Sequence, residues 1–281
     1  MNAGEPHPRV SVLGGEVDVI TPREMLRFVD ILAGAGGAAV IANHNAHSLS
    51  LLRRNPQLSA FFEDADLIQI DSTPVIAWAR LLGMPLSVKH RSTYLDWRED
   101  FWRLANARGW RVFYLGGAPG VAERACENLG RTWSNVSFGW RDGFFDASSG
   151  SADNNRVIDQ INAFEADILF VGMGMPRQEQ WISENRGRLP RGVIFSVGAA
   201  FDYEAGVQRA APRWLGQVGF EWLFRLISQP GRLGYRYLME PWNLLGLAWT
   251  DVRLAWSAGP RIGLRKPGVD ADAVWPLSSA N

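Results

Sequence analysis

The sequence predicts an α/β fold in which helices cover both faces of a parallel sheet. Apolar, β-rich runs recur at 10–13, 38–42, 67–70, 111–115, 136–140, 167–171 and 193–197. Longer helical patterns separate most of them, at 46–62, 74–82, 92–107, 119–132, 154–164 and 176–187. The composition changes near Pro212, where Arg and Trp become frequent. Alternating strand and helix implies parallel pairing, and right-handed crossovers then give a Rossmann-like layered sheet. The expected organisation is a Rossmann-like core over 9–208, a C-terminal helical appendage over 209–257 and a loose tail over 258–281, with residues 1–8 a disordered start.

Each element positions candidate residues. The strand over 38–42 runs into Asn43 and Asn45 ahead of the helix at 46–62. Strand 67–70 ends in Asp71, before a helix starting near Pro74, so the carboxylate is expected to point into the crevice at the carboxyl ends of the strands. Helix N-cap is the other use of an aspartate there. Strand 111–115 opens into Gly116, Gly117 and Gly120, a Gly-Gly-x-x-Gly run without the dinucleotide fingerprint. A backbone cradle for phosphate or ribose and plain tight-turn packing both fit it. Ile168–Val171 opens into Gly172-Met-Gly174, and Pro176 starts a helix with Gln178 and Glu179 in its first turn. Glycine lets a ligand approach the backbone, and proline at the first helical position needs no N–H partner.

Composition sets bounds. At 281 residues the chain can bury a large core, and 47% hydrophobic with 21% charged residues is ordinary for a globular protein. Zero formal net charge argues against nucleic acid as a partner. Cys126 stands alone, which excludes an internal disulfide and a cysteine-based zinc site and fits a reducing compartment. The start lacks a signal-peptide pattern, and Trp242–Trp249 is far short of the roughly 20 residues that span a bilayer. The expectation is a cytoplasmic protein able to lie on the inner face of the membrane.

From Arg209 to Lys266 there are nine Arg/Lys against three acids, interleaved with Trp214, Trp222, Trp242, Trp249 and Trp256. Arginine mixed with aromatics suits the headgroup layer of an anionic bilayer, and an ordinary helical subdomain with core tryptophans is the alternative. Asp64-Ala-Asp66 spells the D-x-D of metal-dependent sugar transfer, but it precedes strand 67–70 at the amino end, away from the crevice. The histidines His7, His44, His47 and His90 have no metal-like spacing, so neither metal nor cofactor is expected. His44 sits beside the site in sequence, in a supporting position.

Several segments together resemble the WecG/TagA/CpsF family of glycosyltransferases. They are Val171-Gly-Met-Gly-Met-Pro-Arg-Gln-Glu-Gln-Trp181, Val197-Gly-Ala-Ala-Phe-Asp-Tyr-Glu-Ala-Gly206, Ala211-Pro-Arg-Trp214, Gly219-Phe-Glu-Trp-Leu-Phe-Arg225 and Gln229-Pro-Gly-Arg232. Upstream, Asn45, Asp71, Arg91-x-Thr93-x-x-Asp96 and Asp142-Gly-Phe-Phe145 fall in the family's order. The resemblance implies a metal-independent, inverting transfer of a hexose or N-acetylhexosamine. The donor would be a UDP-sugar and the acceptor a polyprenyl-diphosphate-linked sugar, in surface polysaccharide synthesis.

On that resemblance Asp71 is the base. Asn43 and Asn45 contact sugar, with Asn43 replacing the family's threonine, and Thr93 and Asp96 hold the acceptor or cap the following helix. Gln178 binds substrate, while Glu179 is left between uracil, ribose and helix capping. Gly116, Gly117, Gly172 and Gly174 give the ligand backbone access, and Asp202 binds a sugar hydroxyl or shapes the crevice. Arg225, Arg232 and Arg236 take up the leaving diphosphate, since arginine suits bidentate phosphate binding. Arg209 is displaced by one residue from the family's Arg-Ala-Pro, and Ser72 and Tyr94 replace glycines. Two other readings compete: a nucleotide-binding oxidoreductase and a noncatalytic sugar-binding scaffold.

Overall fold

A computed structural model describes residues 7–33, 38–208, 210–211, 215, 221–228, 231, 234–235 and 239–265. The first strand does not join the main sheet, contrary to the expectation for 10–13. Instead β1 (His7–Val12) pairs antiparallel with β2 (Gly15–Asp18) on one side and with β9 (Ile262–Arg265) on the other. Leu13 and Gly14 both take positive φ, 49° and 76°. That is the two-residue turn whose twist matches a hairpin. The buried Asp18 carboxylate accepts from Arg9 Nε at 2.6 Å and from the Ile68 backbone N–H at 2.7 Å, tying this small sheet to the large one. Burial alone would raise the Asp18 carboxyl, but hydrogen bonds from His7 and Arg9 hold it below the usual carboxylate range.

The large sheet is six-stranded and parallel throughout, as the alternation of elements predicts. It runs β4-β3-β8-β7-β5-β6, with β3 Ala38–His44, β4 Leu67–Ile70, β5 Arg111–Gly116, β6 Ser137–Arg141, β7 Ile168–Gly172 and β8 Gly192–Ser196. Every residue of β4, β7 and β8 is buried, as expected of strands covered on both faces. Alternation splits them between two cores. Ile41, Leu67, Tyr114, Phe170 and Phe195 face α1 (Pro22–Leu32), α5 (Tyr94–Arg108) and α6 (Val121–Thr132). Val40, Ile68, Phe113, Leu169 and Ile194 face α3 (Pro56–Asp64), α7 (Ala152–Phe164) and α8 (Arg177–Asn185).

Three local differences from expectation have physical causes. The pattern over 46–62 is two helices, α2 (Ala46–Leu52) and α3, because Asn55 caps α3 through the Leu58 N–H (3.0 Å) and Pro56 opens it. Helix α1 was not expected from periodicity. It starts in a capping box, where Glu24 N–H donates to Thr21 Oγ1 (3.3 Å) and Thr21 N–H to Glu24 Oε2 (2.8 Å). The third difference lies in residues 240–265. Leu244 is buried among Val10, Val12, Leu49, Ile70 and Val75, with Leu247 and Ala248 packed beside it. Asp251 accepts from the Leu13 N–H (2.8 Å) and Trp78 Nε1 (3.3 Å). Residues 262–265 are strand β9 rather than tail, and His7 and Pro8 belong to β1 rather than to a disordered start. Residues 240–265 therefore pack against the core.

Gly116 and Gly172 are register partners on β5 and β7. A Cβ on Gly116 would collide with the Gly172 backbone, and one on Gly172 with the Gly198 carbonyl oxygen and the Tyr114 hydroxyl. Gly172→Ala is expected to destabilise by roughly 3 kcal/mol or more, since the obstructing atoms include backbone. Denaturant unfolding of the purified variant checks this, and a midpoint equal to the parent's would contradict it.

Candidate active site

The carboxyl ends of β3, β4 and β8, with the turn after β7, surround a cavity of about 460 Å³. Open α/β sheets bind ligands at this place. Six expected residues line it: Asn43 and Asn45 after β3, Asp71 after β4, Thr93 before α5, and Gly174 and Gln178 around the start of α8. The N-cap position of α4 (Thr73–Leu81) is Ser72, one residue after Asp71. Its backbone is fixed by Asp71 N–H donating to the His44 carbonyl at 2.7 Å. The half-buried Asp71 carboxylate lies on the cavity wall.

Residues 91–93 run beside the end of β4, held by Ser92 N–H to the Ile70 carbonyl (2.9 Å) and by Gln69 Nε2 to Ser92 Oγ (2.5 Å). Asn43 Nδ2 donates to the Ser92 carbonyl at 2.9 Å, which fixes its amide. Asn43 and Thr93 both line the cavity, and each has a buried side-chain oxygen, Asn43 Oδ1 and Thr93 Oγ1, with no hydrogen-bond partner among the described residues. Unpaired buried polar atoms are costly, and a ligand is a common reason for them. Asp96 is used otherwise: it accepts from Thr93 N–H (3.1 Å) and pairs with Arg91 (2.9 Å), and it does not line the cavity.

Asn45 spends its side-chain oxygen capping α2 through Ser48 N–H (3.0 Å). Ser48 Oγ donates to the Asn45 carbonyl (2.8 Å), so at the 2.9 Å contact with His44 it is Nδ1–H of the ring that donates. The His44 ring is fully buried and stacked on Phe62 at 3.7 Å. Burial and the nearby Arg9 charge push its pKa down to about 3, so it stays neutral and supports the loop from outside the cavity. His47, in the first turn of α2, does line the cavity, and its Nδ1 is 2.6 Å from Glu240 Oε2, also on the wall. Tyr94, Tyr203, Gln208 and Tyr235 complete the wall. None of these six residues was expected in the site, although the first turn of a helix facing the crevice marks His47.

Gly116, Gly117 and Gly172 do not line the cavity, and the close strand approach described above accounts for Gly116 and Gly172. Asp202 lies in α9 (Ala200–Glu204), outside the lining, near Tyr114, whose hydroxyl is raised by burial and then by the Asp202 charge. Glu179 is fully buried and also off the wall. Arg225 falls in the described helix Glu221–Ser228, but its side chain, and Arg232 and Arg236 altogether, lie outside the described residues. Asp64 and Asp66 are bound to Arg186 at 3.0 and 2.6 Å, at the amino end of β4. Among the described residues no group of three His, Cys, Asp or Glu could hold a metal ion.

A strand-end crevice with two carboxylates, Asp71 and Glu240, several amides and hydroxyls and a wall of tyrosines suits an enzyme that handles sugars, and comparison with known proteins gives that class. The Glycosyl transferase WecG/TagA/CpsF family matches residues 10–257. The chain belongs to this family and is a glycosyltransferase, which sets aside the oxidoreductase reading. Its relatives include the N-acetylglucosaminyldiphosphoundecaprenol N-acetyl-beta-D-mannosaminyltransferases of Staphylococcus aureus strains MW2 and NCTC 8325 / PS 47. Each is 27% identical over 236 residues, covering 80% of this chain and 87% of the relative.

Proposed function

We propose that the protein transfers a hexose or N-acetylhexosamine from a UDP-sugar to a polyprenyl-diphosphate-linked sugar, with inversion and without a metal, in surface polysaccharide synthesis. The observation that carries this is Asp71 lining one cavity together with Asn43, Thr93 and Gln178. The names of the Staphylococcus aureus relatives support the acceptor class. In the proposed step the Asp71 carboxylate takes the proton of an acceptor hydroxyl. That oxygen bonds to the sugar's anomeric carbon as the bond to the UDP oxygen breaks, and UDP leaves with the electron pair. General base catalysis and stabilisation of the departing charge are what such a displacement requires. Arg225, Arg232 and Arg236 are the proposed partners of the diphosphate. Asn43, Asn45, Thr93 and Gln178 are the proposed sugar and donor contacts.

The test is UDP release from a panel of UDP-sugars with polyprenyl-diphosphate-N-acetylglucosamine. Release that depends on both substrates is expected. Its absence with every donor would favour the sugar-binding scaffold.

The proposed acceptor class implies work at a membrane surface, proposed to be the inner face of the cell membrane. No described helix is long and apolar enough to cross one. Trp242, Trp249 and Trp256 are 68%, 65% and 89% exposed along residues 240–258. Aromatics held outward in this way fit an interfacial contact, with an anionic surface as the partner. Trp249→Ser combined with Trp256→Ser is expected to lower co-sedimentation with anionic vesicles several-fold, leaving the thermal midpoint unchanged. Equal sedimentation would remove these residues from the contact.

A further inference from the structure

Gln178 sits on the cavity wall with its amide held at both ends. Its Oε1 accepts from the backbone N–H groups of Gly174 and Gly198, each at 3.2 Å. Its Nε2 donates to Glu179 Oε1 at 2.7 Å. Turning the amide over would set Nε2 against two N–H donors and Oε1 against a carboxylate. An amide nitrogen has two N–H groups, and Glu179 takes one. Glu179 itself is fully buried, does not line the cavity, and its Oε2 has no partner among the described residues.

We infer that Glu179 is a positioning residue that fixes the polarity of the Gln178 amide, so that the crevice meets an N–H donor there. The group Gln178 recognises is then an acceptor oxygen of the donor substrate, a phosphate, sugar or carbonyl oxygen, and not a hydroxyl acting as donor. The identity of that substrate rests on the function proposed above; the locked amide does not. Glu179 was expected from sequence to contact uracil or ribose, or to cap the helix. Its burial beneath Gln178 gives it a different task.

The uncomplexed protein, selectively labelled with 15N-glutamine, tests the geometry. One Nε2 proton of Gln178 is expected far downfield, because hydrogen bonds to charged groups are the strong ones. Burial pushes the Glu179 carboxyl up to about 7. Protonation weakens its acceptor, so the downfield proton should move upfield as pH falls through that value. In Glu179→Gln the bond persists but the titration disappears. In Glu179→Leu the downfield signal is lost, while the thermal midpoint is kept by an apolar side chain in a buried position. A Gln178 signal unchanged in Glu179→Leu would overturn the inference whatever the enzyme's substrate.

The second readout is kcat/KM for whichever UDP-sugar supports turnover. Glu179→Leu should lower it about tenfold or more, the cost of about one misplaced hydrogen bond, and Glu179→Gln should stay within about threefold. Asp71, His47 and Glu240 are other ionisable groups on this wall and are common to all three proteins. A lost downfield signal with unchanged kcat/KM would overturn the substrate-facing role. A locked amide in a protein that uses no UDP-sugar would leave the positioning intact and end the proposed function instead.

Discussion

Asp71→Asn is expected to lower turnover by about 10²–10⁴-fold, the usual contribution of a positioned general base, with UDP affinity held within about twofold. Asparagine keeps the size and the backbone bond from Asp71 N–H to the His44 carbonyl, so the loop should stand. What it lacks is a site for the acceptor's proton. The effect should therefore fall on kcat, because the groups proposed to hold the donor, Asn43 and Gln178, come from other segments of the wall. Calorimetric titration with UDP and initial rates with a lipid-linked acceptor separate the two quantities. Turnover within a few-fold of the parent would remove Asp71 as base. Lost UDP affinity would make it a donor ligand.

Ending the chain after Met239 is expected to unfold much of the protein, not to leave a soluble core. The lost segment supplies Leu244 to a buried cluster, the Asp251 carboxylate to the Leu13 N–H, and β9 to the edge of β1. Burying one leucine is worth about 1.5–3 kcal/mol, and leaving a buried N–H unpaired costs about 1–3 kcal/mol. Against a total stability of about 5–15 kcal/mol these losses are large. A fall in thermal midpoint of more than ten degrees, or insolubility, is the expected outcome. A truncated protein melting with the parent would show that residues 240–265 are separable after all. The same segment brings Glu240 to His47 on the cavity wall, so activity and stability should be lost together.

Much of the crevice was legible because strand-end positions are local information. Asn43, Asp71 and Gln178 follow buried apolar runs, and a parallel sheet places all such ends on one edge. Non-local facts were not legible. Whether Gly116 and Gly172 cradle a ligand or let two strands approach depends on β5 pairing with β7, and the return of Leu244 and β9 to the core depends on contacts across most of the chain. Gln178 and Glu179 are adjacent in one helical turn, yet the roughly 100° between successive residues puts one on the cavity wall and the other beneath it. His44 and His47 differ in the same way: the strand-end histidine turns into a stack on Phe62, and the helical one reaches the cavity. Helix α1 was readable through Thr21-Pro22-Arg23-Glu24, a capping signature that the periodicity reading passed over.

The central claim is a single displacement in which Asp71 takes a proton and never bonds to sugar. The anomeric configuration of the newly formed glycoside, read by proton NMR on the product from an α-linked UDP-sugar, tests this most directly. A β-linked product is expected. An α-linked product would mean two displacements and a covalent or otherwise shielded intermediate, and would contradict the mechanism.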